Sequence, residues 1–85
     1  MLTLTYSPTI AFGRHLASLR RSRGFSQEGL ALESGLARSY LGGVERGQRN
    51  IALINICKLA QAMDVTPAEV MGFQTINSAL STDKK

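Results

Sequence analysis

Eighty-five residues with 44% hydrophobic content allow one small soluble domain and leave it little surplus stability. No apolar run approaches the roughly 20 residues needed to span a bilayer, and the opening MLTLTYSP lacks the basic start and apolar core of a signal peptide, so a cytoplasmic protein is expected. The net charge of +4 is unevenly placed: seven arginines face only Glu28, Glu33 and Glu45 in the first 49 residues, while Lys58, Lys84 and Lys85 cancel Asp64, Glu69 and Asp83 beyond them, which points the basic half at a polyanion.

Hydrophobic periodicity predicts an all-α chain of five helices. The first covers about residues 9–23, with Ile10, Phe12, Leu16 and Leu19 on its apolar face and Gly24 as its stop. The second covers residues 27–34, capped by Ser26. Gly29 stands where a capping box would place Glu or Gln. Gly35 suits a turn that needs φ > 0. The third covers about residues 37–46 and ends at Gly47. It has no good cap in Leu36 or Ala37 and carries Gly42-Gly43 in its interior, at a cost of about 2 kcal/mol.

The fourth helix covers about residues 52–63, where Leu53, Ile56, Leu59, Ala60 and Met63 form a core stripe widened by Ile51, Ile54 and Cys57. The fifth opens with Thr66-Pro67-Ala68-Glu69, a capping box with proline at N1, and ends near Gly72. Phe73, Ile76 and Leu80 follow at helical spacing, and STDKK reads as a disordered end. This divides the chain into an arm over residues 1–8, a DNA-binding domain over 9–73 and an extension over 74–85.

The segment from Leu30 to Asn50 carries the function. Leu30, Ala31, Leu36, Leu41 and Val44 can share one inward face, leaving Arg38, Ser39, Arg46, Gln48 and Arg49 outward. A braced helix, a tight turn and a second helix with a free basic face make a helix-turn-helix, whose second helix enters the major groove of duplex DNA. An enzyme is not expected, nor any cofactor or metal. The chain has one His, one Cys, no Cys/His cluster, no paired acids with a cleft and no glycine-rich phosphate loop. His15 and Lys58 read as solvated surface.

Arg38, in the first turn of the third helix, can grip guanine O6 and N7 bidentately, or hold a phosphate only. Ser39 can donate or accept at several base edges. Tyr40 can stack under the second helix with its hydroxyl on a phosphate, or serve packing alone. Gly42 and Gly43 allow close approach to a ligand, with Gly43 against a base edge such as a thymine methyl, or record relaxed selection on an exposed face. Arg46, Gln48 and Asn50 are expected on the DNA backbone, with Arg49 beside them or on a base edge. Gln27 lies where backbone N–H groups of a helix N-terminus can hold a phosphate.

The run from Phe12 to Val70 resembles the Cro- and lambda-repressor-like (Xre-like) helix-turn-helix regulators. The match is carried by LRRSRGFSQ, A-L-E-S-G, SYL, E-R-G and LAQAMDVTPAEVM. Within that family it is most similar to controller proteins of restriction–modification systems, through Arg38-Ser39-Tyr40 and Glu45-Arg46-Gly47-Gln48-Arg49-Asn50. Ala37, Gly29 and Gly42-Gly43 depart from the family's usual residues. The resemblance implies a bacterial or phage origin, a phosphate contact by Gln27, and an ion pair between Arg20 and Glu45 that fixes the third helix.

One recognition helix buries too little surface for useful specificity, so a homodimer on an inverted repeat is expected. Its interface is expected at Phe73, Ile76 and Leu80 with Ile54 and Cys57, unless these residues finish the monomer core. Two other readings stay open. One is an antitoxin or adaptor whose main role is binding a protein partner, such as a toxin or RNA polymerase. The other is a non-specific nucleic-acid binder, which the weakly capped third helix would favour.

Overall fold

The computed structural model describes residues 3–75, and over them the chain is five helices with no strand: α1 (Pro8–Ser22), α2 (Gln27–Ser34), α3 (Arg38–Glu45), α4 (Leu53–Met63) and α5 (Pro67–Val70). Ile76, Leu80 and the expected disordered end lie outside the described residues.

Local chemistry sets the helix ends. Ser7 is extended, and its hydroxyl accepts the N–H of Ile10 at 3.3 Å, with Pro8 in the first turn. That Ser-Pro pair starts α1 one residue earlier than periodicity alone suggests. Ser26 accepts the N–H of Gly29 and begins α2. Thr66 and Glu69 exchange both bonds of the expected capping box, at 3.1 and 2.9 Å.

Four helices stop on one device. A residue one position past α2 and α4 (Gly35, Asp64) and two past α1 and α3 (Gly24, Gly47) takes a left-handed backbone, and the next N–H returns to a carbonyl five residues back. Leu36 thus bonds the Ala31 carbonyl at 3.1 Å and closes the turn between α2 and α3. Asp64 is the non-glycine member, at φ 58°.

The core draws on all five helices. Leu16, Leu30, Leu41, Val44, Leu59, Met63 and Val70 are fully buried, with Phe12, Ala31 and Ile56 beside them. α3 packs against α1 and α2, and α4 against α2 and α5. Gly13 lets α1 and α3 approach closely: a Cβ there would lie 2.6 Å from the Glu45 carbonyl oxygen. Gly47 sits against Ile10 in the same manner.

The expected core stripe of α4 is too long by a turn. Leu53 is 74% exposed, because it is the first residue of the helix and the packed stripe begins at Ile56. His15, expected to be solvated, donates a ring N–H to the Glu69 carbonyl at 2.7 Å and ties α1 to α5. Arg23 Nε donates to the Met63 carbonyl at 3.1 Å, linking the end of α1 to the end of α4. Phe73 packs edge-on to Phe12, with centroids 6.2 Å apart, and tilted against Tyr6 at 6.5 Å. Phe73 therefore helps finish the monomer core.

Candidate nucleic-acid interface

The outer face of α3 begins at Arg38 and Ser39, both exposed in its first turn. Neither side chain makes an intramolecular hydrogen bond among the described residues. Ala37 supplies no side-chain cap, so the N–H groups of that turn are left to an outside acceptor. Leu41 and Val44 hold the opposite face in the core.

Glu45 is the anion in this basic segment, and two side chains hold it through three hydrogen bonds. Arg20 Nε donates to one carboxylate oxygen at 2.7 Å and Nη2 to the other at 3.1 Å. Gln27 Nε2 donates to that second oxygen at 2.8 Å. Arg20 Nη1 also holds the Phe25 carbonyl at 2.9 Å. The Arg20 and Glu45 side chains are only 10% and 6% exposed, so the pair is a buried, bidentate clamp joining α1, α2 and α3. The expected Arg20–Glu45 pair is present, and Gln27 is part of it. The Gln27 amide is turned toward Glu45, so its side chain is not the free phosphate donor expected from the sequence.

The segment after α3 folds back over the helix. Arg46 Nε donates to Gln48 Oε1 at 3.2 Å. The Arg49 guanidinium lies 6.0 Å from the centroid of the Tyr40 ring, within cation–π range. The Tyr40 hydroxyl donates to the Asn50 carbonyl at 3.3 Å and accepts from Asn55 Nδ2 at 3.2 Å. A phenol has one proton, and here it is spent on Asn50. Tyr40 is thus a tie between α3, the segment after it and α4, rather than a free phosphate donor. Asn55 was not singled out from the sequence; the available signal was a lone amide in the otherwise apolar first turn of α4.

Gly42 and Gly43 are buried, and what approaches them is the chain itself. A Cβ at Gly43 would lie 2.8 Å from Cγ of Arg49. At Gly42 it would meet Arg46 Nη1 at 3.1 Å and Gln27 Oε1 at 3.4 Å. The expected exposed glycine face is covered by arginine side chains, and Gly43 can meet a base only if Arg49 swings away. Arg46, Gln48, Arg49 and Asn50 remain exposed around this cover. Of the residues expected at a dimer interface, Ile54 and Cys57 are exposed on α4 and Phe73 is not free.

A clamped helix with a basic outer face, presented after a glycine turn, defines a DNA-reading domain, and the chain belongs to the helix-turn-helix family, whose model matches residues 16–70. It is a DNA-binding transcriptional regulator of the Xre-like type. It is similar to the control protein C.BamHI of Bacillus amyloliquefaciens, with 38% identity over 76 residues covering 88% of this chain and 94% of that one. Among solved structures, the restriction–modification controller protein C.AhdI from Aeromonas hydrophila superposes with a TM-score of 0.73 at 57% identity, covering 76% of this chain and 98% of that one. The biofilm master regulator SinR, solved in complex with DNA, superposes with a TM-score of 0.67 at 28% identity, over 71% of this chain and 97% of that one. No described helix is long and apolar enough to cross a membrane, and no group of described residues could hold a metal ion.

Proposed function

We propose that this protein is a cytoplasmic controller of a restriction–modification system that binds an inverted-repeat operator as a homodimer. The observation that carries this reading is the outer face of α3: Arg38 and Ser39 stand free in an uncapped first turn, on a helix fixed from behind by the Arg20–Glu45–Gln27 clamp. Arg38 reads a guanine, Ser39 an adjacent base edge, and Arg46, Gln48 and Asn50 hold the DNA backbone with the Gln27 backbone N–H. The similarity to C.BamHI and C.AhdI over nearly their whole lengths supports the controller assignment. Dimerisation is favoured by Leu53 and Ile54, consecutive apolar residues that are 74% and 67% exposed at the start of α4.

The test is selection of bound duplexes from a random DNA library at about 0.15 M salt, where non-specific binding is weak. Enrichment of an inverted repeat with half-sites roughly 10 base pairs apart is expected. Measurable binding at low salt with no enriched site would overturn the specific-regulator reading. The exposed Leu53-Ile54 pair also favours a second reading, a surface for a protein partner such as a toxin. A stable heterocomplex purified from the native host, with the homodimer absent, would select it.

A further inference from the structure

We infer that Gly43 is a specificity-determining positioning residue: by lacking a side chain it forms the seat on α3 that aims Arg49 at the groove. The inference rests on the proposed DNA-reading role of α3 and adds how one of its bases is read.

Position 43 lies one turn after Ser39, on the same outer side of α3 and away from the buried Leu41 and Val44. A side chain there would itself face the DNA. Instead the stem of Arg49 occupies that place, with Cγ 2.8 Å from where a Cβ would be and Nε and Cδ at 3.7 and 3.8 Å. The contact runs along the root of the side chain, so Arg49 could not clear an added methyl by rotating its tip alone. The Tyr40 ring guides the guanidinium at 6.0 Å. Tyr40 is itself fixed by Asn55 and by the Asn50 carbonyl, one residue beyond Arg49. The base-reading cation at this point of the helix thus comes from the following segment and is laid across the helix rather than grown from it. A glycine inside a helix is costly, and this cost is accounted for by the arginine it seats.

Gly42 supplies the contrast. Its Cβ would meet the exposed tip of Arg46 at 3.1 Å, which can yield, and Gln27 Oε1 at 3.4 Å, an ordinary contact that need not move.

The experiment compares wild type, Gly43→Ala, Gly42→Ala, Arg49→Ala and the Gly43→Ala/Arg49→Ala pair in the duplex selection, with thermal unfolding of each. Gly43→Ala and Arg49→Ala are expected to lose discrimination, roughly tenfold or more, at the same base pair of each half-site. The double variant should lose no more than either alone, and Gly42→Ala should keep that preference. Gly43→Ala should melt no lower than wild type, since alanine favours the helix. Retained preference at that base pair in Gly43→Ala, or equal loss at every base pair with a lowered Tm, would overturn the inference. A wild type that enriches no site defeats the proposed function instead. The seat is then judged by NMR of the free protein: NOEs between the Arg49 γ-methylene and the Gly43 α-protons are expected in wild type. Their absence would show that no seat exists.

Discussion

At the scale of single residues, the decisive feature is that Glu45 is answered by two partners. A carboxylate beside a DNA backbone repels it, but the bidentate Arg20 offsets that charge within the protein and the Gln27 amide hydrogen-bonds it. Removing one member of a buried pair costs about 3–5 kcal/mol, because the other charge stays buried and alone. Arg20→Ala is therefore expected to lower the Tm sharply and to loosen α3. A variant with the wild-type Tm that lost only salt-dependent affinity would show Arg20 to be a phosphate contact. Arg46→Ala should behave in the opposite manner. Among the described residues its guanidinium hydrogen-bonds the exposed Gln48, so stability should hold while the dependence of log K on log salt falls by about one, as read by titrations at several salt concentrations. The ion pair was expected only through the family resemblance, and Gln27's part in it was not, since both depend on where α1 and α2 lie relative to α3. The role of Gly42-Gly43 was equally closed to sequence reasoning. The atoms they accommodate belong to Arg46 and to Gln27 of α2 at Gly42, and at Gly43 to Arg49, which a left-handed turn at Gly47 brings back over the helix.

At the scale of elements, most of the architecture was written locally. Apolar spacing, Ser26, the Thr66–Glu69 box and the glycine stops place all five helices within a residue or two at most ends. Periodicity misleads at Leu53, because a stripe in the sequence does not say where the neighbouring helix stops covering it. The close approach of α1 to α3 at Gly13 carries no local signature. Gly13→Ala would gain about 1 kcal/mol of helix propensity but press a methyl against carbonyl oxygens of Val44 and Glu45 that cannot rotate away. Overpacking of that kind costs about 1–3 kcal/mol, and here backbone meets backbone, so a lower urea midpoint is expected. Asp64→Gly should raise it. Asp64 holds a left-handed backbone at the end of α4, and glycine adopts that conformation without the Cβ penalty of roughly 1 kcal/mol. An unchanged or lower midpoint would mean that the Asp64 side chain contributes as much as its backbone costs.

At the scale of the whole molecule, the proposed dimer can be tested residue by residue at Phe73 and on α4. Phe73 is engaged with Phe12 and Tyr6, so Phe73→Ala should lower the Tm of the monomer fold rather than simply divide a dimer. Leu53, Ile54 and Cys57 are exposed on α4. Ile54→Glu should shift sedimentation toward monomer at an unchanged Tm of the fold and weaken binding to two half-sites far more than to one. A variant that sedimented as wild type would move the interface elsewhere.

The repeated stop at Gly24, Gly35, Gly47 and Asp64 has a kinetic consequence. Each of the first four helices is terminated by bonds that span six residues or fewer, so its length is decided before distant parts of the chain meet. Little loop-closure entropy stands between the nascent chain and its helices, and helical domains of this kind fold in microseconds to milliseconds. Stopped-flow refolding should therefore finish within the dead time or the first milliseconds. A regulator that matures so quickly has a folded concentration set by its synthesis, with no folding delay between a rise in message and a rise in folded protein.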